Sequence, residues 1–498
     1  MNRKRLLLIA VLCVGQVVVR AEVQPHPLFT EGAVLQREAR IPVWGTAKTG
    51  EKVTVEFCGQ TATATAGADG KWQAKLGKCK AGGPFKLVIR GANTITLTNV
   101  CVGEVWVCSG QSNMEWPLRA AENGVQVIPN TADPQLRLFH VPKATADEPQ
   151  TGVKAVWQVC DPKSVESFSA VGYFFARDLR KALNIPVGMI ESDWGGTYAE
   201  AWTEPASLKK ALPEALTRQA EALAKFDPVK AKAQHEQALA KHKEVVAKAK
   251  AEGKPAPNAP RAPQDPRTGP NRPSVLYNGM IAPLLPYAIR GAIWYQGESN
   301  NGRQKEYQTL FPAMIGSWRK VWGLGDFPFF FVQIAPHQGM TPELREAQLI
   351  AWQKTPNTAM AVITDHGHAT DIHPRAKEPV GGRLALAARA LTYGEKIEYS
   401  GPVFKKLKVS GGKAVLTFEH LGGGLVAKDG DLRGFTLAGA DKKFVAANAM
   451  IEGDTVVVSA TEVKAPVAVR YGWTNVPDLN LFNKAGLPAT PFRTDTEK

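Results

Sequence analysis

The chain has 498 residues, 44% of them apolar and 21% charged, which excludes a disordered or disulfide-built protein and predicts two to four domains with cores of their own. Its net charge of +15 would suit a nucleic-acid partner, but Arg3, Lys4, Arg5 and Arg20 stand in residues 1–21 without an acid, and 203–275 holds 14 Lys and Arg against 8 Asp and Glu. The charge therefore sits in a leader and one solvated segment, which argues against a nucleic-acid face.

Residues 1–21 read as a signal peptide. Basic residues precede the apolar run Leu6–Gly15, and Val19-Arg20-Ala21 offers a cleavage site. The expected location is periplasmic or secreted. The run is short for a membrane span, and no other stretch of about 18 apolar residues follows, so no membrane attachment is expected after cleavage. An uncleaved anchor is the other reading. Beyond Cys13, five cysteines remain, Cys58, Cys79, Cys101, Cys108 and Cys160. Export permits a disulfide, with Cys58 and Cys79 the candidate pair, and none has metal-site spacing.

Residues 22–100 predict a β domain, with short strands such as IPVWGTA, KVTVEF and FKLVIR set off by glycine turns. Residues 101–400 change to alternation. Strands are predicted at Val102–Val107, Ile185–Ile190, Ile289–Tyr295, Pro328–Ile334 and Thr358–Ile363, with helices at Val171–Leu183, Tyr307–Val321 and Glu343–Gln353. That order makes an α/β domain with a mostly parallel sheet. Residues 203–275 interrupt it as a Lys- and Ala-rich insertion, read as two helices broken near Phe226-Asp227-Pro228 and a proline-dense return. It is either a hairpin packed on the domain or a lid or docking arm. Residues 401–498 return to β.

The chemistry falls after the predicted strands. Ser112, in CSGQSNMEW, follows a strand and a Ser-Gly turn, where ligands bind in open α/β folds; a helix N-cap is its plain alternative. His373 lies in Thr364-Asp365-His366-Gly367-His368-Ala369-Thr370-Asp371-Ile372-His373-Pro374 with Asp371 two residues before it. Serine is a weak nucleophile unless an imidazole takes its proton and a carboxylate orients that imidazole. The same stretch also reads as a metal site, since three histidines and two aspartates fall within nine residues. Trp194-Gly195-Gly196-Thr197 and Gln296 in WYQGESN supply candidate donors to an oxyanion; tight turns are the alternative for each.

Taken together, GEVWVCSGQSNMEWPL, SDWGGTYAEAWTE, IRGAIWYQGESN and DIHP with Lys377 and Val380–Ala385 resemble the sialate O-acetylesterase family of SGNH hydrolases, and the likeness runs over nearly the whole mature chain. The resemblance implies a three-layer SGNH hydrolase domain at 101–400, flanked by N- and C-terminal β-rich, sandwich-like domains at 22–100 and 401–498. It implies Ser112 as nucleophile, His373 as base and Asp371 as its partner, with the Ser112 N–H, Gly196 and Gln296 forming the oxyanion hole. Gly195 and Glu298 are further site residues, Glu298 standing where related hydrolases carry Asn. His368 stands where the family often has an acid. No metal or cofactor is implied, and the partner is an acetylated sugar: sialate, or acetylated xylan, pectin or another polysaccharide. A carbohydrate-binding protein with an inactive hydrolase core is the reading from another class. Trp116, Tyr198, Trp202 and Tyr295 are candidates to stack on sugar rings. The oligomeric state is not legible.

Overall fold

The computed structural model describes residues 22–495 except 261 and 264; the expected signal peptide lies outside the described residues. The chain is a mixed α/β protein built on an 11-stranded mixed sheet, with further β-rich units at either end. At the centre runs the strand Thr94–Gly110. Its first half alternates exposed and buried positions and pairs antiparallel with Gly82–Arg90. From Val100 every residue is buried, and the strand pairs in parallel with Val187–Asp193 on one side and Gly291–Tyr295 on the other. The boundary expected at 100/101 thus falls inside a continuous strand. One strand does both jobs because TITLTN alternates in polarity whereas VCVGEVWVC does not. Glu104, fully buried on that strand, fastens the two parts. It accepts from Gln36 at 3.0 Å and from both nitrogens of the Arg290 fork at 2.6 and 3.1 Å, and it also holds Arg37.

Around the central strand the order is Trp157–Cys160, Asp133–His140, Val187–Asp193, Thr94–Gly110, Gly291–Tyr295, Phe329–Val332 and Thr358–Ala361. All neighbours are parallel except the edge pair Trp157–Cys160 with Asp133–His140. Ala170–Leu183 and Glu378–Ala387 bury Phe174, Leu179 and Leu384 in one cluster with Trp106, Cys108 and Phe330. Gln304–Trp322 and Pro342–Lys354 bury Phe311, Trp318 and Leu344 in another cluster with Val107, Trp294 and Phe331.

Among its described residues the insertion holds three helices rather than two: Pro205–Ala211, Pro213–Lys225 and Pro228–Ala251. The unexpected break comes from Pro213, which pushes Leu212 out of helical geometry, to φ −147° and ψ 68°. Arg218 ties the second helix to Glu306 with two bonds of 2.9 and 2.8 Å. No residue of the third helix is buried.

The C-terminal unit has its own core around Leu416, Val456, Val469 and Tyr471. It meets the central α/β part through contacts that include Arg493 on Glu346 at 2.8 and 3.0 Å and the stacking of His420 on Trp352. The five described cysteines are free. Cys58 and Cys79, the candidate disulfide pair, sit in contact as thiols, and burial pushes Cys58 up to about 12. No described helix is long and apolar enough to cross a membrane.

Candidate active site

Three adjacent strands end level, because Asp193 and Tyr295 both register against Gly110. Gly110 has φ +142°, and a Cβ there would lie 2.2 Å from the Tyr295 carbonyl oxygen, so only glycine brings the chain past its neighbour at this point. The turn delivers Ser112 as the first residue of the short helix Ser112–Glu115. The N-cap is Gln111, so the plain alternative for Ser112 does not hold.

Ser112 Oγ stands 2.9 Å from His373 Nε2. Burial and the nearby Lys377 charge lower the His373 pKa below the ordinary imidazole value, against the pull of Asp371. The imidazole is therefore neutral at neutral pH and can accept the serine proton. Trp116 stacks on it, with centroids 5.2 Å apart and planes 21° apart. Asp371 does not make the side-chain bond expected of an imidazole partner. Its Oδ1 accepts the His373 backbone N–H at 2.9 Å and stands 3.8 Å from Nδ1, beyond hydrogen-bond reach. It shapes the turn and acts on the ring as a nearby charge.

The loop Trp194–Tyr198 passes beside the serine, and a Cβ on Gly195 would come within 3.1 Å of Ser112 Cβ. Its polar groups are nearly all engaged. Gly195 N–H donates to Glu115 Oε2 at 2.6 Å. Asn271 holds the loop twice, donating to the Gly196 carbonyl at 3.0 Å and accepting from Tyr198 N–H at 2.8 Å. Gly196 has φ +72°, open space where a Cβ would stand, and an N–H that donates to nothing among the described residues. Gly196 N–H and the Ser112 N–H of the helix start both lack an acceptor among the described residues, whereas Gly195 is committed to Glu115.

Gln296 is a correction to the expected oxyanion set. It is fully buried, donates both amide hydrogens to the Thr197 carbonyl (3.1 Å) and Asn300 Oδ1 (2.7 Å), and accepts from Tyr307 at 3.1 Å. It braces the loop from below and has no N–H left for substrate.

Behind Ser112 lies a network whose members the sequence placed beside the site without revealing their part. Gln111 and Asn113 donate to the two oxygens of buried Glu298 at 2.7 and 2.6 Å. Asn113 also donates to the Ile372 carbonyl at 3.0 Å and accepts from Lys377 Nζ at 2.6 Å. Lys377 has no exposed surface, and its ammonium lies 5.1 Å from the Tyr295 ring centroid and 5.8 Å from that of Trp116. Burial pushes Lys377 down to about 7 and Glu298 up. The signal in the sequence was adjacency, since Gln111 and Asn113 flank Ser112 and Lys377 follows His373 by four residues.

The other expected residues separate. Asp365 is clamped by Arg383 with bonds of 2.7 and 2.6 Å. His368 Nδ1 accepts the N–H groups of Thr370 and Asp371 at 3.2 and 3.0 Å, shaping the loop. Among the described residues no three His, Cys, Asp or Glu side chains are arranged to hold a metal. Of the four aromatics, Trp202 and Tyr295 are buried in the core, and only Trp116 and Tyr198 keep exposed surface.

A serine and a histidine in contact at the carboxyl edge of such a sheet, beside a free glycine N–H, belong to the architecture of carboxylic ester hydrolases, and this chain is one. Residues 271–389 match the family model described as carbohydrate esterase, sialic acid-specific acetylesterase. The sialate O-acetylesterase of Mus musculus is 30% identical over 92% of this chain and 92% of its own length. That of Rattus norvegicus is 33% identical over 76% of this chain and 75% of its own. Among solved structures, a carbohydrate acetylesterase from Xanthomonas citri superposes with a TM-score of 0.81 at 39% identity, covering 95% of this chain and 100% of that one. The chain belongs to the sialate O-acetylesterase family.

Proposed function

We propose that this protein is an exported serine esterase that removes acetyl groups from sugar hydroxyls through an acetyl-Ser112 intermediate, on a three-layer SGNH hydrolase domain. The observation that carries this reading is the 2.9 Å approach of Ser112 Oγ to His373 Nε2 next to the unengaged Gly196 N–H. Oγ attacks the acetyl carbonyl while Nε2 takes its proton. The tetrahedral oxyanion is held by the N–H groups of Ser112 and Gly196, donors of a kind that contribute about 3 kcal/mol each. The sugar alkoxide leaves with the proton from His373. A water then loses its proton to the same nitrogen, attacks the acetyl-serine, and acetate departs with Ser112 restored. No step of this cycle calls for a metal or cofactor.

The family points to sialate, and acetylated xylan and pectin present the same ester. The leader at residues 1–21 supports a periplasmic or secreted location, where such glycans are met. The decisive experiment measures acetate release from O-acetylated sialic acids, xylo-oligosaccharides and pectins, with 4-nitrophenyl acetate as a general ester. Turnover that disappears in Ser112→Ala, together with fluorophosphonate labelling of Ser112, is the expected result. An inert, unlabelled wild type would leave a carbohydrate-binding protein. Activity that survived Ser112→Ala and fell to a chelator would restore the metal reading.

A further inference from the structure

A cleft of about 710 Å³ lies where the N-terminal β unit meets the hydrolase part. Its walls include Trp44 and Trp72 from two paired strands of the β unit and Tyr277 from the hydrolase part. Around them stand side chains rich in amide and hydroxyl groups: Gln24, Thr46, Gln73 and Thr151. All four are exposed, and none of these side chains bonds another described residue. Two buried groups in the wall are also unsatisfied. Trp72 is 2% exposed and its indole N–H donates to nothing. His26 is 5% exposed and accepts from Leu28 N–H at Nδ1; its Nε2 lies near the Thr151 carbonyl without closing a bond. Aromatic walls with a few unspent donors and acceptors are what a sugar requires, since its C–H faces are apolar and its rim is hydroxyl.

The cleft is not isolated from the catalytic edge. It shares Gln150 and Gly152 with a second groove of about 450 Å³, which runs back along the chain to Pro142. The next residue, Lys143, bonds Glu115, the carboxylate that holds Gly195, and lies 5.6 Å over the Trp194 ring. In the same groove, Asp147 pairs with Arg272, the neighbour of Asn271, which clamps Gly196. The segment 142–152 therefore joins the oxyanion loop to the cleft.

We propose that this cleft and groove form a distal binding site for a glycan chain, so that the enzyme acts on acetyl groups carried by oligo- or polysaccharides and holds the chain by its deacetylated sugars. The proposal rests on the esterase reading above and extends it to the length of the substrate.

Two measurements separate the two. Calorimetric titration with unacetylated xylohexaose, hexagalacturonate and sialic acid hexamer tests the cleft without any chemistry. One hexaose is expected to bind, and Thr46→Arg, which fills the cleft from an exposed position, is expected to weaken it about tenfold or more. Trp44→Ala should do the same; because Trp44 also packs on Phe29 and Tyr287, Thr46→Arg is the variant that decides if Trp44→Ala fails to fold. Turnover of the acetylated forms of that glycan, from monosaccharide to hexamer, should rise with length through KM. Thr46→Arg should remove that rise and leave 4-nitrophenyl acetate and the monosaccharide unchanged. No hexaose binding, equal kcat/KM at all lengths, or a Thr46→Arg variant that lowers every substrate alike would overturn the distal site while the esterase stands. Hexaose binding without any ester turnover would sink the esterase reading instead.

Discussion

On the solvent side of Ser112, His373 reaches Oγ at 2.9 Å, and the carboxylate meant to orient it, Asp371, is half exposed and 3.8 Å from Nδ1. On the inner side, Gln111, Glu298, Asn113 and Lys377 are all buried and joined by bonds of 2.6 to 2.7 Å. The difference follows from what each side does. A base that shuttles protons must meet substrate and water, so it stands at an edge. The groups that hold the nucleophile's turn lose least to solvent competition when buried, where each hydrogen bond is stronger and each unpaired group more costly. The inner side fixes both partners of the proposed reaction, since Asn113 adjoins Ser112 and bonds the carbonyl of Ile372, which precedes His373.

The sharpest way to break this comparison is to remove one residue from the solvent side at a time. His373→Ala should lower kcat by about a thousandfold or more, and Asp371→Asn by about tenfold, because Asp371 supplies a charge and a turn rather than a ring hydrogen bond. Steady-state rates with 4-nitrophenyl acetate read both. Equal losses would mean that Asp371 closes on Nδ1 when substrate binds.

Lys377 couples the two sides through charge. The base works when neutral, so kcat/KM rises with pH through the His373 pKa, which lies below the ordinary value. Lys377 titrates near 7 and is charged below that. Removing it in Lys377→Met takes away a positive neighbour, raises the His373 pKa and moves the acid limb to higher pH. Removing the negative charge in Asp371→Asn moves it to lower pH. We expect Lys377→Met also to lose up to about a hundredfold in kcat, because Asn113 loses the hydrogen bond it accepts from Lys377 and Glu298 loses its buried counter-charge. A pH profile that does not move in Lys377→Met would show that the inner network is structural only.

Gln296 tests the loop. If it braces Thr197 from below, Gln296→Leu should cost about 1–3 kcal/mol of stability, from the groups left unpaired, and roughly tenfold in kcat. If it met the oxyanion itself, the loss in kcat would be about 100- to 1,000-fold with KM little changed.

These corrections mark where sequence reading stops. Periodicity found most of the parallel strands and the helices between them because those segments are strongly patterned. It did not find Asp133–His140 or Trp157–Cys160, where DPQLRLFH mixes charges into a strand and WQVC is only four residues long. The meeting of Ser112, His373 and Gly196 at one sheet edge was legible because each stands after a strand in a distinctive setting. The use made of Gln296 and Asp371 was not, because an amide or a carboxylate in the right segment does not say which hydrogen its neighbours have already claimed. Burial of Trp202 and Tyr295 was equally hidden, since tryptophan and tyrosine suit both a core and a sugar face.

The smallest expected effect comes from the largest visible feature. The helix Pro228–Ala251 has 24 residues and buries none, so it stands about 36 Å long with little tertiary packing to stabilise it. Its two ends meet again. Arg267, on the return, lies 5.3 Å over the ring of Phe226, just before the helix begins, and Gln219 bonds the Pro266 carbonyl at 2.7 Å. The excursion is a closed loop on a fixed base, and loop closure depends only weakly on length. Replacing 228–264 by a short Gly-Ser linker should therefore leave kcat/KM for 4-nitrophenyl acetate within about twofold, because Arg218 still holds Glu306 and Asn271 still clamps Gly196. Asn271→Ala in the full chain should do more harm than the whole deletion, since it frees the oxyanion loop that the base of the insertion holds. If the deletion proved worse, the long helix would be acting on the site through a surface it shows to solvent, and the arm would have a role in the reaction rather than beside it.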